Sequence, residues 1–133
     1  MEIELDDAMK IATVQQVFNN TFPFLKIEFF EKDMNMPGPL GVRRHIGSGN
    51  KRLFEFRPVL YDISPILITP LMTVRELEEK FKHLYKLHTQ VFRKSGNVWL
   101  ETTVTDAWTL FEQNRQGELI SSHMDFAKIN PAS

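Results

Sequence analysis

Two segments of the chain carry apolar residues at the spacing of an amphipathic helix, and an alternating strand follows each of them. From Val14 to Phe22 the apolar side chains fall three or four positions apart, which predicts a helix that ends before Pro23. The same spacing predicts a second helix from Val74 to about Leu84. Polar and apolar residues then alternate over 25–30 and 87–93, as they do in strands with one buried face.

The two segments are interpreted as copies of one βαβ-like unit, spanning 2–32 and 66–94. Each copy has a short strand, a helix with a Thr at its start, and a strand that carries Phe and then Lys at matching places. Duplicated units of this kind usually build one sheet. Three pairs of residues have the spacing of a capping box at a helix start: Thr13 with Gln16, Thr73 with Glu76, and Thr109 with Glu112.

The segment between the copies differs from both. Residues 33–50 hold four glycines and two prolines, which predicts a long glycine-rich loop. Residues 52–57 alternate around two phenylalanines and are interpreted as an irregular strand. Residues 66–68 are apolar throughout, as a central strand would be.

After the second unit the sequence predicts a hairpin and a short helix. Ser95-Gly96 has the composition of a two-residue turn, which would place Phe92 opposite Trp99 and turn Leu100 toward the core. A third helix would end at Gly117. Residues 121–133 carry few apolar side chains and are expected to form a flexible tail.

These elements predict a single α+β domain over residues 1–133. Two tandem units favour a two-layer sandwich, with one mixed sheet and both long helices on one of its faces. The first choice is a ferredoxin-like βαβ repeat with an added C-terminal hairpin strand and helix. The alternative is a β-grasp fold, because a strand followed by Thr-Val and an amphipathic helix also begins that fold.

Composition narrows the class of protein. The 16 basic and 17 acidic residues give a formal net charge of −1, which argues against a protein that binds polyanions over its whole surface. There is no cysteine, and no apolar run approaches the ~20 residues of a membrane span. The acidic N-terminus is unlike a secretory signal, so a cytoplasmic protein is expected, with no membrane as a partner.

Two stretches of the C-terminal half, QVFRKSGNVWLETT at 90–103 and TDAWTLFEQN at 105–114, resemble a signature of small uncharacterised bacterial proteins. The resemblance covers mainly residues 72–117 and the first half more loosely. It implies a bacterial, single-domain, cytoplasmic protein, and it implies no activity.

Catalytic and metal-binding constellations are not evident in the sequence. The four histidines are scattered without HxxxH or HExxH spacing, so neither a metal site nor a cofactor is predicted. The carboxylates of 76–79 are interpreted as a cap and a helix surface, since catalysis would need one of them in an apolar pocket. An enzyme is therefore the less favoured class. If the protein is an enzyme, we expect its active-site pocket to lie under the loop 33–52, with His45 as the group that titrates near neutral pH.

The glycine-rich loop and the residues after it carry a local excess of positive charge. A loop of this kind could close over an anion or a nucleic-acid backbone, although a solvated surface loop is the simpler interpretation. The candidate anion-binding residues are Arg43, Arg44, Lys51 and Arg52. Sheets that bind RNA carry aromatics on their central strands, and the strands taken as central, 2–5 and 66–68, carry none. Nucleic acid is therefore disfavoured as a partner.

Aromatic residues provide the leading hypothesis. Phe30 and Phe92 hold equivalent positions in the two units, on the strand face opposite the helices, and Trp99 joins Phe92 across the hairpin. If that face is open, the three side chains form an apolar patch that binds a protein partner or a second copy of the chain. The competing interpretation is that residues 33–63 fold over the face and bury them.

Overall fold

The computed structural model describes residues 2–32, 43–46, 50–56 and 65–129. The strands in these ranges are β1 (Ile3–Leu5), β2 (Leu25–Lys32), β3 (Arg43–His45), β4 (Ile66–Ile68), β5 (His88–Ser95) and β6 (Val98–Glu101). The helices are α1 (Ile11–Thr21), α2 (Val74–Tyr85) and α3 (Leu110–Ile129), and a short 3-10 helix at Leu53–Phe56 precedes β4.

The strands form two antiparallel sheets. β1 and β4 pair as a two-stranded ribbon, and the other four strands lie in the order β3-β2-β5-β6. The predicted two-layer α+β sandwich is confirmed. Its described strands pair antiparallel in two sheets, and not in the single mixed sheet of ferredoxin-like order that the sequence predicted. β4 is not a central strand, because Leu67 faces outward from the ribbon and remains 42% exposed. The central strands are β2 and β5.

The two halves of the chain bury matching positions. Both helices use the same spacing, in which the second, third and fourth buried residues follow the first by 3, 7 and 11 positions. They are Ile11, Val14, Phe18 and Phe22 in the first half and Val74, Leu77, Phe81 and Tyr85 in the second. The β2–β5 pairing is likewise two-fold symmetric, with Glu28 opposite Gln90 at its centre. Helices α1 and α2 therefore cover the same face of the sheet from the two sides of this centre.

The helix starts differ in how they are capped. The hydroxyl caps predicted at Thr73 and Thr109 are confirmed, since each hydroxyl accepts a hydrogen bond from the backbone N–H three residues on, at 3.1 Å. The Glu76 side chain turns back to accept from the Thr73 hydroxyl, also at 3.1 Å. The box predicted at Thr13 is wrong, because α1 begins one turn earlier. Its N-cap, Lys10, makes no side-chain cap, and the Ile11 N–H instead donates to the Lys51 carbonyl at 2.9 Å.

The core lies between helices α1 and α2 and one face of the four-stranded sheet. Ile27, Phe29 and Val91 point from the central strands into this core and are fully buried. Phe29 meets Phe81 of α2 edge to face, with ring centroids 4.9 Å apart. Since side chains alternate along a strand, the residues between them point to the opposite face of the sheet.

Helix α3 continues past the position predicted as its end. Gly117 lies inside the helix, where a Cβ would come within 2.9 Å of the Phe24 Cβ and 3.1 Å of the Arg93 Cγ. Glycine is thus needed for close packing of α3 on the sheet. The buried Ser121 hydroxyl accepts from the Gly96 N–H at 3.2 Å, and residues 121–129 continue the helix where a tail was expected.

Local predictions elsewhere also change. Part of the predicted loop 33–50 is strand β3, and the predicted strand 52–57 contains the 3-10 helix. The hairpin turn is Gly96–Asn97, with Ser95 opposite Val98 and a Gly96 φ of 64°. This turn suits a glycine in its first central position. The Leu100 side chain is 43% exposed, because β6 is an edge strand that α1 and α2 do not cover.

Two buried threonines allow a matched test of the core. The Thr89 hydroxyl is fully buried and has no hydrogen-bond partner within the described ranges, whereas the Thr102 hydroxyl donates to the Val91 carbonyl at 2.8 Å. We expect Thr89→Val to raise the unfolding free energy by about 1 kcal/mol and Thr102→Val to lower it by about 1–2 kcal/mol. Urea denaturation of both variants measures this, and a loss of stability in Thr89→Val would contradict it.

Because α3 lies so close to Phe24 and Arg93 at Gly117, we expect an alanine there to change stability in the direction opposite to its helix propensity. Alanine in place of glycine inside a helix ordinarily gains about 1 kcal/mol. We expect Gly117→Ala to lose about 1–2 kcal/mol instead, because the new methyl group overpacks the contact with Phe24 and Arg93. Denaturation beside the exposed neighbour variant Glu118→Ala measures it, and a gain in stability would show that α3 can move away.

Candidate interaction surface

One face of the four-stranded sheet points away from α1 and α2, and we call it the open face. Its described side chains are Lys26, Glu28, Phe30, His45, His88, Gln90, Phe92, Lys94, Trp99 and Glu101. The predicted aromatics Phe30, Phe92 and Trp99 all lie on it and are half-buried. They are neither hidden in the core nor fully exposed, so each presents part of a ring to solvent.

The open face holds two aromatic clusters rather than one. The Lys26 ammonium lies 5.2 Å from the centre of the Phe92 ring and 5.1 Å from that of Trp99, so that it links the two rings. Phe92 stands opposite Glu101 in the hairpin, not opposite Trp99 as predicted, because the turn lies one residue later. The two aromatic rings are therefore diagonal neighbours that share one cation.

The second cluster surrounds Phe30. Its ring centroid lies 5.2 Å from that of His45 on β3 and 5.9 Å from that of His88 on β5. Phe30 stands opposite His88, four residues along β5 from Phe92, which places the clusters about 14 Å apart. The structure thus brings Phe92 and Trp99 together and leaves Phe30 in a separate cluster on the same face.

Glu28 lies between the clusters, and its charge is largely compensated. Its carboxylate is 2.8 Å from His45 Nε2 and 4.0 Å from the Lys26 ammonium, and it accepts a hydrogen bond from Gln15 Nε2 at 3.1 Å. His45, the proposed titrating group of an enzyme, thus lies on the open face. Its side chain is 51% exposed, which is unlike the dry environment that tunes a catalytic acid or base.

Along the part of β2 that does not pair with β3, side chains of helix α1 donate hydrogen bonds to the backbone carbonyls of the outer strand edge. Asn19 donates to the Leu25 carbonyl at 2.8 Å, and Gln15 donates to the Ile27 carbonyl at 3.1 Å. These side-chain bonds occupy the groups that an added strand would use. This described part of the β2 edge is therefore not open to an added strand.

The predicted anion-binding residues are only partly assembled. Arg43 and Arg44 lie on β3 by their backbone, and their side chains fall outside the described part of the chain, as does most of the loop 33–50. Lys51 and Arg52 are exposed near the start of α1. The Lys51 ammonium lies 5.3 Å from the centre of the Phe56 ring.

Arg52 lines an open depression of about 410 Å³ beside the first turn of α1. Lys10 adds a second positive charge to its lining and Asp6 a negative one. The Arg52 guanidinium also donates to the Ala8 carbonyl at 2.6 Å. Because one Arg52 donor is used and the charges of the lining are of both signs, the depression adds little support to an anion site, and anion binding by the basic loop remains a prediction.

A cluster that the sequence did not predict joins α2 to the turn before α3. Arg75 donates to both Asp106 carboxylate oxygens, at 2.7 and 3.3 Å. Glu78, one turn along α2, is half-buried. Burial and then the Asp106 charge raise the Glu78 pKa to about 7, and Arg75 opposes this shift. No spacing rule indicates it, because Asp106, whose charge adds to the shift, lies 28 residues from Glu78 along the chain.

The Glu78 pKa predicts a pH dependence of stability. Between pH 4.5 and about 7 the folded chain retains a proton that the unfolded chain has lost, so the unfolding free energy falls as pH rises through this window. Allowing for partial solvent screening, we expect the loss to be about 1–2 kcal/mol. Glu78→Gln should remove this component and be the more stable protein at pH 8.

Urea denaturation at pH 4.5 and pH 8 tests this effect of Glu78. The exposed neighbour variant Glu79→Gln serves as the control, since it lacks the burial that raises the Glu78 pKa. Equal stability changes from pH 4.5 to pH 8 in Glu78→Gln and Glu79→Gln would contradict the assignment to Glu78.

The ranges that the structure describes hold no group of three or more His, Asp or Glu residues placed to bind a metal ion. No helix in those ranges is long and apolar enough to cross a membrane. Comparison of the chain with protein-family models, curated proteins and solved structures found no match.

Proposed function

We propose that the protein is a non-enzymatic interaction module whose open face binds a protein partner through Phe92, Trp99 and Phe30. The observation that carries this proposal is the position of three half-buried aromatic side chains on the one face of the sheet that α1 and α2 leave uncovered. Aromatic side chains that are rigidly held and partly exposed are typical of the energetically dominant residues in protein interfaces.

Charge favours a protein over a nucleic acid as the partner. Phe30 and Phe92 lie on the two central strands, which removes the earlier objection that such strands carry no aromatics. The fixed charges on the described open face nevertheless cancel, since Lys26 and Lys94 are balanced by Glu28 and Glu101. Nucleic-acid sites neutralise several phosphates at once, and these side chains supply no such excess.

The dimensions of the face indicate a small or transient interface. Four strands spaced about 4.8 Å apart and up to eight residues long offer at most about 500 Å² to a partner. Counting both partners gives about 1,000 Å², at the lower end of specific protein interfaces. A short segment of a partner fits this face better than an extended obligate interface does.

The cations beside the rings indicate the chemistry of that segment. Lys26 contacts both Phe92 and Trp99, and Lys94 stands directly opposite Trp99 in the hairpin. Glu28, whose carboxylate lies 4.0 Å from the Lys26 ammonium, already meets His45 and Gln15, and Glu101 stands opposite Phe92. A segment that pairs apolar side chains with Asp or Glu therefore complements this part of the face.

The matched halves support a second part of the proposal, that the chain is one domain built from a duplicated unit. The helix positions and the two-fold pairing of β2 with β5 agree between the halves. Phe30 and Phe92 are equivalent in this symmetry, whereas their neighbours His88 and Lys26 differ in kind. The two aromatic positions thus offer related but unequal binding sites.

Peptide display against the purified protein tests the proposed partner chemistry. We expect the selected peptides to combine aromatic or aliphatic residues with Asp or Glu. Phe92→Ala and Trp99→Ala should each weaken binding of a selected peptide about tenfold or more, the loss expected for a dominant interface residue. Isothermal titration calorimetry measures the dissociation constants.

Leu100→Ala is the matched control, because Leu100 is an exposed apolar residue on the same strand but on the opposite face. Peptides that bind Trp99→Ala as well as the original protein would refute the open-face proposal. Binding of labelled oligo(dU) that weakens steeply with salt, together with no selected peptide, would assign the face to nucleic acid instead.

A further inference from the structure

Helix α3 exposes a second apolar surface on the side turned away from the sheet. Its buried side is formed by Leu110, Gln113, Gly117 and Ser121. On the other side Phe111, Arg115 and Leu119 follow at four-residue spacing, and the two apolar members are 50% and 53% exposed. A row of this spacing is a helix ridge of the kind that packs into the groove of a second helix.

The exposed row is symmetric about Arg115. In both directions along the helix a glutamate follows after three residues, Glu112 or Glu118, and an apolar residue after four, Phe111 or Leu119. Glu112, Arg115 and Glu118 are all exposed. Such a pattern is self-complementary, because reversing the helix direction leaves the order of apolar, acidic and basic positions unchanged.

We propose that two copies of this chain associate through antiparallel pairing of their α3 helices about a two-fold axis at Arg115. Phe111 and Leu119 each lie about 6 Å along the helix from Arg115, on opposite sides. Phe111 of one copy then meets Leu119 of the other. Each Arg115 lies near the glutamates of the opposite helix, which offsets repulsion between the two arginines. Such an interface is isologous, as two-fold dimers require.

A further exposed apolar residue, Leu71, lies beside this row, and the fold does not require an apolar side chain at its position. Phe111 donates its backbone N–H to the Pro70 carbonyl, which places the 79% exposed Leu71 next to the row. In the first half of the chain the Phe54 N–H donates to the Asp7 carbonyl, which matches the bond from Phe111 to Pro70. Ala8 then occupies the position that corresponds to Leu71. The same turn therefore forms without a large apolar side chain, and Leu71 extends the α3 surface for contact.

Sedimentation velocity tests the association directly. The interface consists of a few apolar side chains per copy, so we expect a reversible dimer, with an average mass that rises from 15.6 kDa toward twice that value between about 5 and about 500 µM. Leu119→Glu should abolish the rise. Val98→Glu should leave it unchanged, because Val98 is equally exposed, at 55%, but lies on β6.

Charge inversion separates a contact role from a structural one. Arg115→Glu should weaken dimerisation at least about tenfold, because it places acids opposite acids. The triple variant Glu112→Arg, Arg115→Glu and Glu118→Arg inverts the whole pattern and should restore it. Loss of dimers in the triple variant as well, or a monomer at every concentration of the original protein, would overturn the proposal.

If Val98→Glu alone abolished the dimer, the contact would run through the β6 edge and the α3 proposal would fail. The α3 surface is separate from the open face. Peptide binding by monomeric Leu119→Glu therefore reports on the open face independently of the result for α3.

Discussion

β2 and β5 pair antiparallel over six positions, from Leu25 opposite Arg93 to Phe30 opposite His88. This pairing joins the two halves of the chain, and each half supplies one helix to cover it. A single helix on a two-stranded hairpin would leave much of its apolar surface in water. The alternation along the same two strands then separates a core face from the open face, so the contact that stabilises the fold also fixes where Phe30 and Phe92 stand.

The parts of this arrangement that depend on local sequence could be predicted. The Thr73 cap forms within four residues of chain, and the alternation over β2 gives the inward and outward directions without any tertiary information. For the same reason the outward position of Phe30, Phe92 and Trp99 was predicted correctly, even though the hairpin register was wrong. A register shift of two residues preserves the face.

Features set by distant contacts could not be predicted from the sequence. The first backbone N–H of α1 donates to the Lys51 carbonyl, which lies 41 residues after the N-cap Lys10, so no capping residue marks this helix start. Gly117 suggests a helix end, because glycine often follows the last turn of a helix. In the folded chain it lies inside α3 and lets the helix approach Phe24 and Arg93. The spacing around Glu78 indicates a surface residue, whereas in the folded chain burial and the charge of the distant Asp106 raise its pKa. In each case the deciding partner is remote in sequence.

Comparison of the two halves separates the residues that the fold requires from those that are free to serve another role. Met9 and Met72 occupy one matched position and Leu53 and Leu110 another, and both pairs take part in matching backbone hydrogen bonds.

Other matched positions carry unlike side chains, such as Ala8 and Leu71, which form the same turn. The proposed α3 contact uses this second kind of position. Since α3 packs through Gly117 on the side of the sheet that bears Arg93, its pairing leaves the open face of each copy uncovered. A dimer of this form would present two open faces at once, and a partner with two matching segments would then bind more tightly than one segment alone allows.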